Sequence, residues 1–297
     1  MSRGEPRPRI THPEKVLFPD DGITKGDLAA HYESVAPYLL PHIRGRPVTM
    51  ERYPSGIGET GFFQKSVTRG FPSWLERVEV PKKGGSVHHP LVNDLRALLW
   101  LANQNCITPH VWPARAPDLM HPDLCVFDLD PSAENPDEVR AAALALRDLL
   151  AELGLTSWVK TSGSKGFHIA VPLHESVGWR ATSRFGEAVG RALVARDPER
   201  LTLEFAKADR GGRILVDTGR NGWSATFAAA WAVRPRPGAP VSAPCTWQEV
   251  ERGDVGPRTF TLRTMAERIA DVGDPWADMQ GQAFDLAAPL ETLRLMG

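Results

Sequence analysis

The feature that most constrains the fold is a nine-residue stretch at positions 124–132, Leu-Cys-Val-Phe-Asp-Leu-Asp-Pro-Ser. Its apolar run predicts a buried strand, and the strand should end at Pro131 because proline has no N–H to donate to a β-ladder. Side chains alternate between the two faces of a strand, so Asp128 and Asp130 point to the same side, about 6–7 Å apart. That arrangement suits the binding of one or two divalent cations. A solvated pair of aspartates in a turn explains this stretch alone equally well.

A second apolar segment, residues 213–217, also ends in an aspartate, Asp217. We expect it to form another strand, with Asp217 at the position of a third metal ligand. Mg²⁺ and Mn²⁺ prefer oxygen ligands and commonly take one or two carboxylates together with substrate phosphates.

A glycine-rich loop at residues 162–166, Ser-Gly-Ser-Lys-Gly, lies between predicted strands at 158–161 and 167–173. The order strand, loop, strand differs from the strand, loop, helix order of a P-loop. Successive backbone N–H groups, two hydroxyls and Lys165 can still form an anion-binding nest, with His168 near the start of the second strand. A plain hairpin turn would need the glycines but not the lysine.

The N-terminal part of the chain holds two lysines around a turn. Thr24 and Asp27 resemble a capping box and predict a helix over residues 25–40. Lys25 falls in the first turn of that helix, where a positive charge opposes the helix dipole, so a nearby anion would explain it. A solvated lysine is the simpler interpretation. Lys15 lies on the other side of the turn.

Paired phenylalanines, Phe62 and Phe63, precede Lys65 and are predicted either to join the core or to stack against bases. Helices are expected at 94–105, 136–153 and 177–195, and strands at 107–112, 201–205 and 224–233. His110 falls within the first of these strands.

Composition narrows the class of protein. The 42% hydrophobic content is sufficient for a globular core, and no apolar run approaches the length of a membrane span. The three cysteines have no close spacing, which argues against a disulfide framework or a zinc site and favours a cytoplasmic location. A net charge of −1 means that any affinity for nucleic acid depends on local basic patches. Because the sequence shows no internal repeat and no linker-like stretch, we predict a single domain over residues 1–297, with residues 1–9 as a disordered tail.

Several motifs occur in one order along the chain: F-D-L-D-P, S-G-S-K-G-x-H, a V-D strand followed by R-N-G, and R-P-R-P-G-A-P. Together they resemble the polymerase domain of bacterial ligase D, a member of the archaeo-eukaryotic primase superfamily. P-E-K-V-L-F-P, T-K-x-D, F-F-Q-K and P-R-T-F-T with D-P-W-A-D are similar too, so the resemblance covers nearly the whole chain. It implies an α+β fold in which mixed and antiparallel central sheets are flanked by helices.

The resemblance also implies a role for individual side chains. Asp128, Asp130 and Asp217 would be the catalytic metal ligands, for two Mn²⁺ or Mg²⁺ ions. The implied nucleotide-binding residues are His110, Ser162, Lys165, His168, Arg210, Arg234 and Phe63. Phe62 and Phe63 would stack on the template or the base, and Lys15, Lys25 and His12 would lie at a DNA 5′-phosphate. Two positions depart from the family pattern: Thr108 stands where an acid is common, and His12 where an asparagine is common.

The implied activity is nucleotide addition at DNA gaps and double-strand-break ends with 3′ overhangs, template-directed or as a terminal transferase, with a preference for ribonucleotides. The implied substrates are gapped or broken DNA with a 5′-phosphate, and NTPs or dNTPs. The implied protein partners are the end-binding protein Ku and a separate DNA ligase, and no association with a membrane is expected. A primase or excision-repair gap filler is an alternative. A second alternative is a module that binds DNA ends without catalysis. A haloacid-dehalogenase-type phosphatase is a remote one, because such enzymes carry the Asp-x-Asp motif near the N-terminus without a following proline.

Overall fold

The structure, a computed structural model, describes residues 8–279 and 281–296. The predicted tail at 1–9 therefore lies mostly outside the described residues. The strands in chain order are β1 Val16–Phe18, β2 Ile23–Thr24, β3 Val48–Arg52, β4 Phe62–Gln64, β5 Arg77–Lys82, β6 Gly85–Pro90, β7 Cys106–Val111, β8 Leu124–Pro131, β9 Trp158–Thr161, β10 Phe167–Pro172, β11 Leu201–Thr202, β12 Ile214–Asp217, β13 Phe227–Ala228, β14 Ala232–Val233, β15 Val241–Ser242 and β16 Pro244–Cys245. The α-helices are α1 Lys25–Ile43, α2 Leu95–Asn103, α3 Pro136–Glu152, α4 Trp179–Arg196, α5 Trp247–Arg252, α6 Met265–Val272 and α7 Ala287–Met296.

The described chain forms two compact units, each assembled from separate parts of the sequence. Unit 1 comprises residues 8–117, 226–242 and 260–273. Unit 2 comprises residues 118–225, 243–259, 274–279 and 281–296. The single catalytic domain expected from the sequence stays a prediction.

Unit 1 is organised around a four-stranded antiparallel sheet in the order β13-β7-β3-β4. Helix α1 begins as predicted, because the Thr24 side chain accepts from the backbone N–H of Asp27 while the Asp27 carboxylate accepts from the N–H of Thr24. One face of α1 is buried along its whole length, and the helix packs against α2. β5 and β6 pair as an antiparallel hairpin.

Unit 2 contains a six-stranded sheet in the order β11-β12-β8-β10-β9-β16, antiparallel except for the β11–β12 pair. Helices α3 and α4 pack against this sheet. Phe127 of β8 meets Phe185 of α4 with ring centroids 6.4 Å apart, so the odd-numbered side chains of β8 face the helices. Asp128 and Asp130 therefore project from the other face of the sheet.

Two predicted strands are shorter than expected. The strand predicted over 201–205 ends at Thr202, whose Oγ1 accepts a hydrogen bond from the Glu204 N–H at 3.1 Å and turns the chain out of the sheet. The strand predicted over 224–233 is divided into β13 and β14. Trp231 lies between them with φ of 67°, a left-handed conformation that interrupts a β-ladder.

The remaining architecture agrees with the sequence-based prediction of an α+β protein with mixed and antiparallel sheets flanked by helices. Pro131 is the last residue of β8, as expected. Cys106, Cys125 and Cys245 are buried free thiols. Within residues 8–279 and 281–296, no helix has the length and apolar character needed to cross a membrane.

Candidate active site

Three aspartates meet on one face of the unit 2 sheet. Asp128 and Asp130 occupy alternate positions near the end of β8, and Asp217 at the end of β12 lies directly opposite Asp128 in the antiparallel register. Directly opposed residues in adjacent strands project to the same side, so all three carboxylates lie on the face away from α4. The sequence predicted this convergence, and the register provides it.

The same row continues across two further strands. His168 of β10 is the register partner of Asp128, and Lys160 of β9 is the partner of His168. His168 Nε2 lies 3.4 Å from Asp128 Oδ1, and Lys160 Nζ lies 2.8 Å from His168 Nδ1. Lys160 is completely buried and His168 nearly so. Asp217, Asp128, His168 and Lys160 thus form a polar row, named here the cross-strand row.

The loop after β12 places an arginine over two of the carboxylates. Asn221 extends the pairing of β8: its Oδ1 accepts from the Val126 N–H at 2.7 Å and its Nδ2 donates to the Val126 carbonyl at 2.8 Å. This clamp fixes the preceding residue, Arg220. One guanidinium nitrogen of Arg220 lies 3.2 Å from Asp128 Oδ2 and 3.1 Å from Asp217 Oδ2.

The electrostatics of the two buried aspartates differ. Burial alone would raise the pKa of Asp128, but the hydrogen bond from His168 and the charges of Arg220 and Lys160 hold that pKa well below its usual range. Burial raises the pKa of Asp217, and the charges of Asp128 and Asp130 raise it further, against the opposing effect of Arg220. Asp217 therefore sits where additional positive charge would be stabilising.

Asp130 is held by a different arginine. Arg210 Nη1 lies 2.9 Å from Asp130 Oδ2, and the same guanidinium donates to the backbone carbonyls of Glu204 and Phe205. Arg210 is nearly buried, whereas the side chain of Asp130 is 46% exposed. The predicted Arg210 thus joins the aspartate group by fixing the loop between β11 and β12 to Asp130.

The donor set fits divalent metal ions. Among the described residues, no three Asp, Glu, His or Cys side chains already converge on one point as a metal site, since arginine side chains lie against the carboxylates. The three aspartates nevertheless supply hard oxygen donors on one face. Burial, and after it the charges of Asp128 and Asp130, raise the pKa of Asp217, and a bound cation would oppose both effects.

The glycine-rich loop between β9 and β10 uses Ser162 internally. Ser162 Oγ accepts from the backbone N–H groups of Ser164 and Gly166, both at 3.1 Å, and Ser162 is buried. Those two N–H groups are therefore engaged within the loop, contrary to the open nest suggested by the sequence. Lys165 lines a cavity of about 290 Å³ together with Arg258 and Glu134. Arg258 Nε donates to the Ser164 carbonyl at 2.7 Å and ties the loop to the segment after α5.

A second cluster of predicted residues lies in unit 1. His110 Nε2 is 2.8 Å from Glu51 Oε2, both residues are buried, and the Phe63 ring meets the His110 ring edge-on at 5.3 Å. Burial alone would raise the pKa of Glu51, but the hydrogen bond and charge of His110, with the charge of Arg234, hold it below its usual range. Glu51 on β3 lies opposite Thr108 on β7, two residues before His110. The carboxylate beside His110 therefore comes from the neighbouring strand and not from position 108.

The paired phenylalanines of β4 are surface residues. Phe62 is 45% and Phe63 is 62% exposed, which excludes the core alternative for both. The Arg52 guanidinium lies 5.4 Å from the centroid of the Phe62 ring. Two exposed rings next to His110 and Arg52 are available to stack on a planar ligand.

The two N-terminal lysines also lie close to each other. Lys25 Nζ donates to the Thr11 carbonyl at 2.7 Å, and Lys25 is only 4% exposed. Burial lowers the pKa of Lys25, and the neighbouring charge of Lys15 lowers it further. His12 is exposed with φ of 49°. The Thr11 carbonyl gives Lys25 a protein partner that the sequence did not reveal.

Sequence inspection missed three residues of these clusters: Lys160, Arg220 and Glu51. Lys160 could have been noticed in the sequence. It lies within a short apolar strand, two residues before Ser162, and a lysine that is buried in such a strand needs a polar partner. Arg220 and Glu51 are ordinary surface-type residues in sequence. Their roles depend on the Asn221 clamp and on the register of β3 with β7.

Comparisons with known proteins show the family of the chain. A family model described as LigD, primase-polymerase domain, matches residues 24–276. The multifunctional non-homologous end joining protein LigD of Mycolicibacterium smegmatis is 35% identical over 299 residues, which is 100% of this chain and 39% of that protein. The bifunctional non-homologous end joining protein LigD of Bacillus subtilis is 31% identical over 294 residues, or 97% of this chain and 47% of that protein. The chain thus spans less than half the length of these curated relatives.

A solved structure extends the similarity to three dimensions. The polymerase domain from Mycobacterium tuberculosis ligase D in complex with DNA matches with a TM-score of 0.87 and 34% identity, over 94% of this chain and 100% of that one. The primase-polymerase fold and the enzyme class predicted from the sequence, a DNA nucleotidyltransferase, are confirmed. On the family match, the relatives and this structural agreement, the chain belongs to the LigD primase-polymerase domain family.

Proposed function

We propose that the chain adds nucleotides to the 3′-hydroxyl of DNA at gaps and double-strand-break ends during non-homologous end joining, by template-directed and terminal-transferase addition. The observation that carries the proposal is the cross-strand row with Asp130, which gathers three carboxylates, a histidine and a lysine on one face of a sheet. The solved structure with DNA and the end-joining relatives support DNA as the substrate.

Asp128, Asp130 and Asp217 would hold two Mn²⁺ or Mg²⁺ ions. When bound, such a pair lowers the barrier to in-line displacement by stabilising both the attacking and the leaving oxygen. The chain's own contribution is to keep Asp128 deprotonated, through His168 and Arg220, and to fix its carboxylate between two strands. Arg210 holds Asp130 from the other side of the group.

Each unit contains residues to which we assign a role in binding an NTP or dNTP. In unit 1, His110 and Arg234 carry positive charge or N–H donors, and Phe63 offers an exposed ring for stacking. In unit 2, Lys165 is available to bind the triphosphate, while Ser162 shapes the loop around it and His168 lies beside Asp128. Phe62 would stack against the template. The preference for ribonucleotides rests on the family resemblance alone.

Lys15, Lys25 and His12 would bind the 5′-phosphate on the downstream side of a gap. The mutual repulsion of the two lysines supports this assignment, because a phosphate dianion would relieve it. Ku and a separate DNA ligase are proposed as partners, and the bacterial cytoplasm, at the nucleoid, as the location. These proposals rest on the end-joining relatives.

Nucleotide addition on a gapped duplex tests the proposal directly. The wild-type chain should extend the primer with Mn²⁺ or Mg²⁺, and more efficiently when the downstream strand carries a 5′-phosphate than a hydroxyl. Asp128→Asn and Asp217→Asn should each abolish addition, whereas Asp271→Asn, at an exposed position of α6, should not. Lys15→Ala combined with Lys25→Met should remove the preference for the 5′-phosphate.

Two outcomes would contradict the proposal. Addition that survives both Asp128→Asn and Asp217→Asn would show that the metal site lies elsewhere. Equal filling of phosphorylated and unphosphorylated gaps by the wild-type chain would remove the end-joining role and favour a primase or general gap filler.

A further inference from the structure

Lys160 is a fully buried lysine in the middle of an antiparallel sheet. It lies on β9 between the register partners His168 on β10 and Pro244 on β16, and none of its surface is exposed. Burying an ammonium group is costly unless polar atoms around it compensate. The 2.8 Å contact between Lys160 Nζ and His168 Nδ1 is one such compensation.

That contact determines where the proton of the imidazole lies. With Lys160 in its ammonium form, which has three donors and no acceptor, His168 Nδ1 accepts the hydrogen bond and carries no hydrogen. The ring proton must then be on Nε2, the nitrogen that lies 3.4 Å from Asp128 Oδ1. In the opposite tautomer, Nδ1–H would point at the ammonium group and an Nε2 lone pair would point at the carboxylate.

We propose that Lys160 is a positioning residue for nucleotidyl transfer: by donating to His168 Nδ1, it fixes the Nε2–H tautomer that holds the carboxylate of Asp128. The expected effect of Lys160 on catalysis rests on the proposed function. The expected tautomer of His168 does not depend on that function. Lys160 is separated from Asp128 by the width of one strand, so it acts through His168. Residues that orient metal-ligating groups in this way typically contribute ten- to a hundredfold to activity or metal affinity.

The tautomer can be observed without any assay of catalysis. Two-bond ¹H–¹⁵N correlation spectra of the chain labelled with ¹⁵N-histidine identify the protonated nitrogen of each ring, and His168→Gln assigns the signal. In the wild-type chain His168 should carry hydrogen on Nε2 alone. In Lys160→Met this pattern should be lost, whereas Lys207→Met, which removes an exposed lysine of the same unit, should preserve it.

Activity then tests whether Lys160 acts through His168. Lys160→Met should lower kcat by roughly ten- to a hundredfold in the wild-type background. In the His168→Gln background the same substitution should lower kcat by less than about threefold, because residues that act as a unit are strongly non-additive. A merely structural role for Lys160 would give the same loss in both backgrounds.

Several results would overturn the inference. A wild-type His168 with hydrogen on Nδ1, or on both nitrogens, contradicts the donor role of Lys160 even if Lys160→Met fails to fold. An unchanged His168 pattern in a folded Lys160→Met variant does the same. If the wild-type chain adds no nucleotides, the proposed function fails, but the spectra still decide the tautomer.

Discussion

Each unit holds one of the two histidines predicted to bind nucleotide, next to a side chain of a charged type, and the two neighbours are of opposite type: a glutamate and a lysine. In unit 1 the Glu51 carboxylate lies 2.8 Å from His110 Nε2. In unit 2 the Lys160 ammonium lies 2.8 Å from His168 Nδ1. In both cases the partner comes from the adjacent antiparallel strand: β3 beside β7, and β9 beside β10.

The difference in partner sets a difference in chemistry. A carboxylate accepts a hydrogen bond and stabilises positive charge on the ring, so His110 is suited to contact an anion such as a triphosphate. An ammonium group donates a hydrogen bond and opposes positive charge on the ring, so His168 is suited to be a neutral donor to Asp128. One residue type is thus suited to two different roles, according to the charge opposite it.

The largest expected effect comes from disrupting the unit 2 pair through the backbone. A Cβ on Gly166 would lie 1.6 Å from the Leu129 carbonyl oxygen, so Gly166→Ala must push β10 away from β8 and separate His168 from Asp128. We expect a loss of stability of roughly 3 kcal/mol or more and no measurable nucleotide addition. Thermal unfolding and primer extension measure these two effects.

The control for that prediction is another glycine in unit 2. Gly154 has φ of 76° and open space around it, so Gly154→Ala should cost only about 1 kcal/mol of conformational strain and keep activity. If Gly166→Ala is no worse than Gly154→Ala, the tight fit between β8 and β10 does not maintain the cross-strand row.

A histidine without a charged partner provides the next test. His31 is buried, its Nε2 lies 3.1 Å from the Trp231 carbonyl, and burial lowers its pKa from 6.5 to about 4. The unfolded chain therefore binds the proton more readily, so this stability is complete above pH 6.5 and is lost as the pH falls to about 4.

Between pH 6.5 and about pH 4, the loss of the His31 contribution should lower the free energy of unfolding by roughly 3 kcal/mol. The free energy of unfolding of the wild-type chain should fall by about that much more than that of His31→Gln, measured by urea unfolding at the two pH values. Parallel pH profiles for the two proteins would mean that His31 binds a proton equally well in the folded and the unfolded chain, so that burial does not lower its pKa.

Glu51→Gln alters the unit 1 pair while keeping an acceptor for His110. The amide oxygen can still accept from Nε2–H, but the negative charge beside the His110 ring is gone. The nucleotide KM should rise by about tenfold, with a smaller change in kcat, because a hydrogen bond to a charged group contributes about 1.5 kcal/mol. Steady-state kinetics with one nucleotide measure both constants.

Tyr53→Phe is the matched control for Glu51→Gln. The Tyr53 hydroxyl lies 3.4 Å from Glu51 Oε1, so its removal disturbs the surroundings of Glu51 without removing its charge. We expect a change in KM of less than about twofold. Equal effects of the two substitutions would indicate that packing around Glu51, rather than its charge, supports His110.

Sequence could predict the reacting groups but not their partners. The Asp-x-Asp strand and the strand ending in Asp217 follow from residue type and period, and the register of β8 with β12 confirms their convergence. Nothing in the sequence states that β9 lies two strands away from β8, so Lys160 could not be connected to Asp128. Arg220 likewise reaches two aspartates only because Asn221 completes the pairing of β8.

The smallest expected effect concerns Arg220, a cation that contacts both Asp128 and Asp217. Its side chain is 37% exposed, so these ion pairs are partly screened by solvent and each contributes less than about 1 kcal/mol. A divalent cation bound to the same carboxylates must compete with them. Arg220→Gln should therefore tighten Mn²⁺ binding by at most about fivefold, measured by calorimetry on the nucleotide-free chain at pH 8. Arg180→Gln, at an exposed position of α4, should leave the affinity unchanged. Weaker Mn²⁺ binding by Arg220→Gln would mean that the arginine organises the carboxylates for the metal instead of competing with it, as Lys160 does through His168.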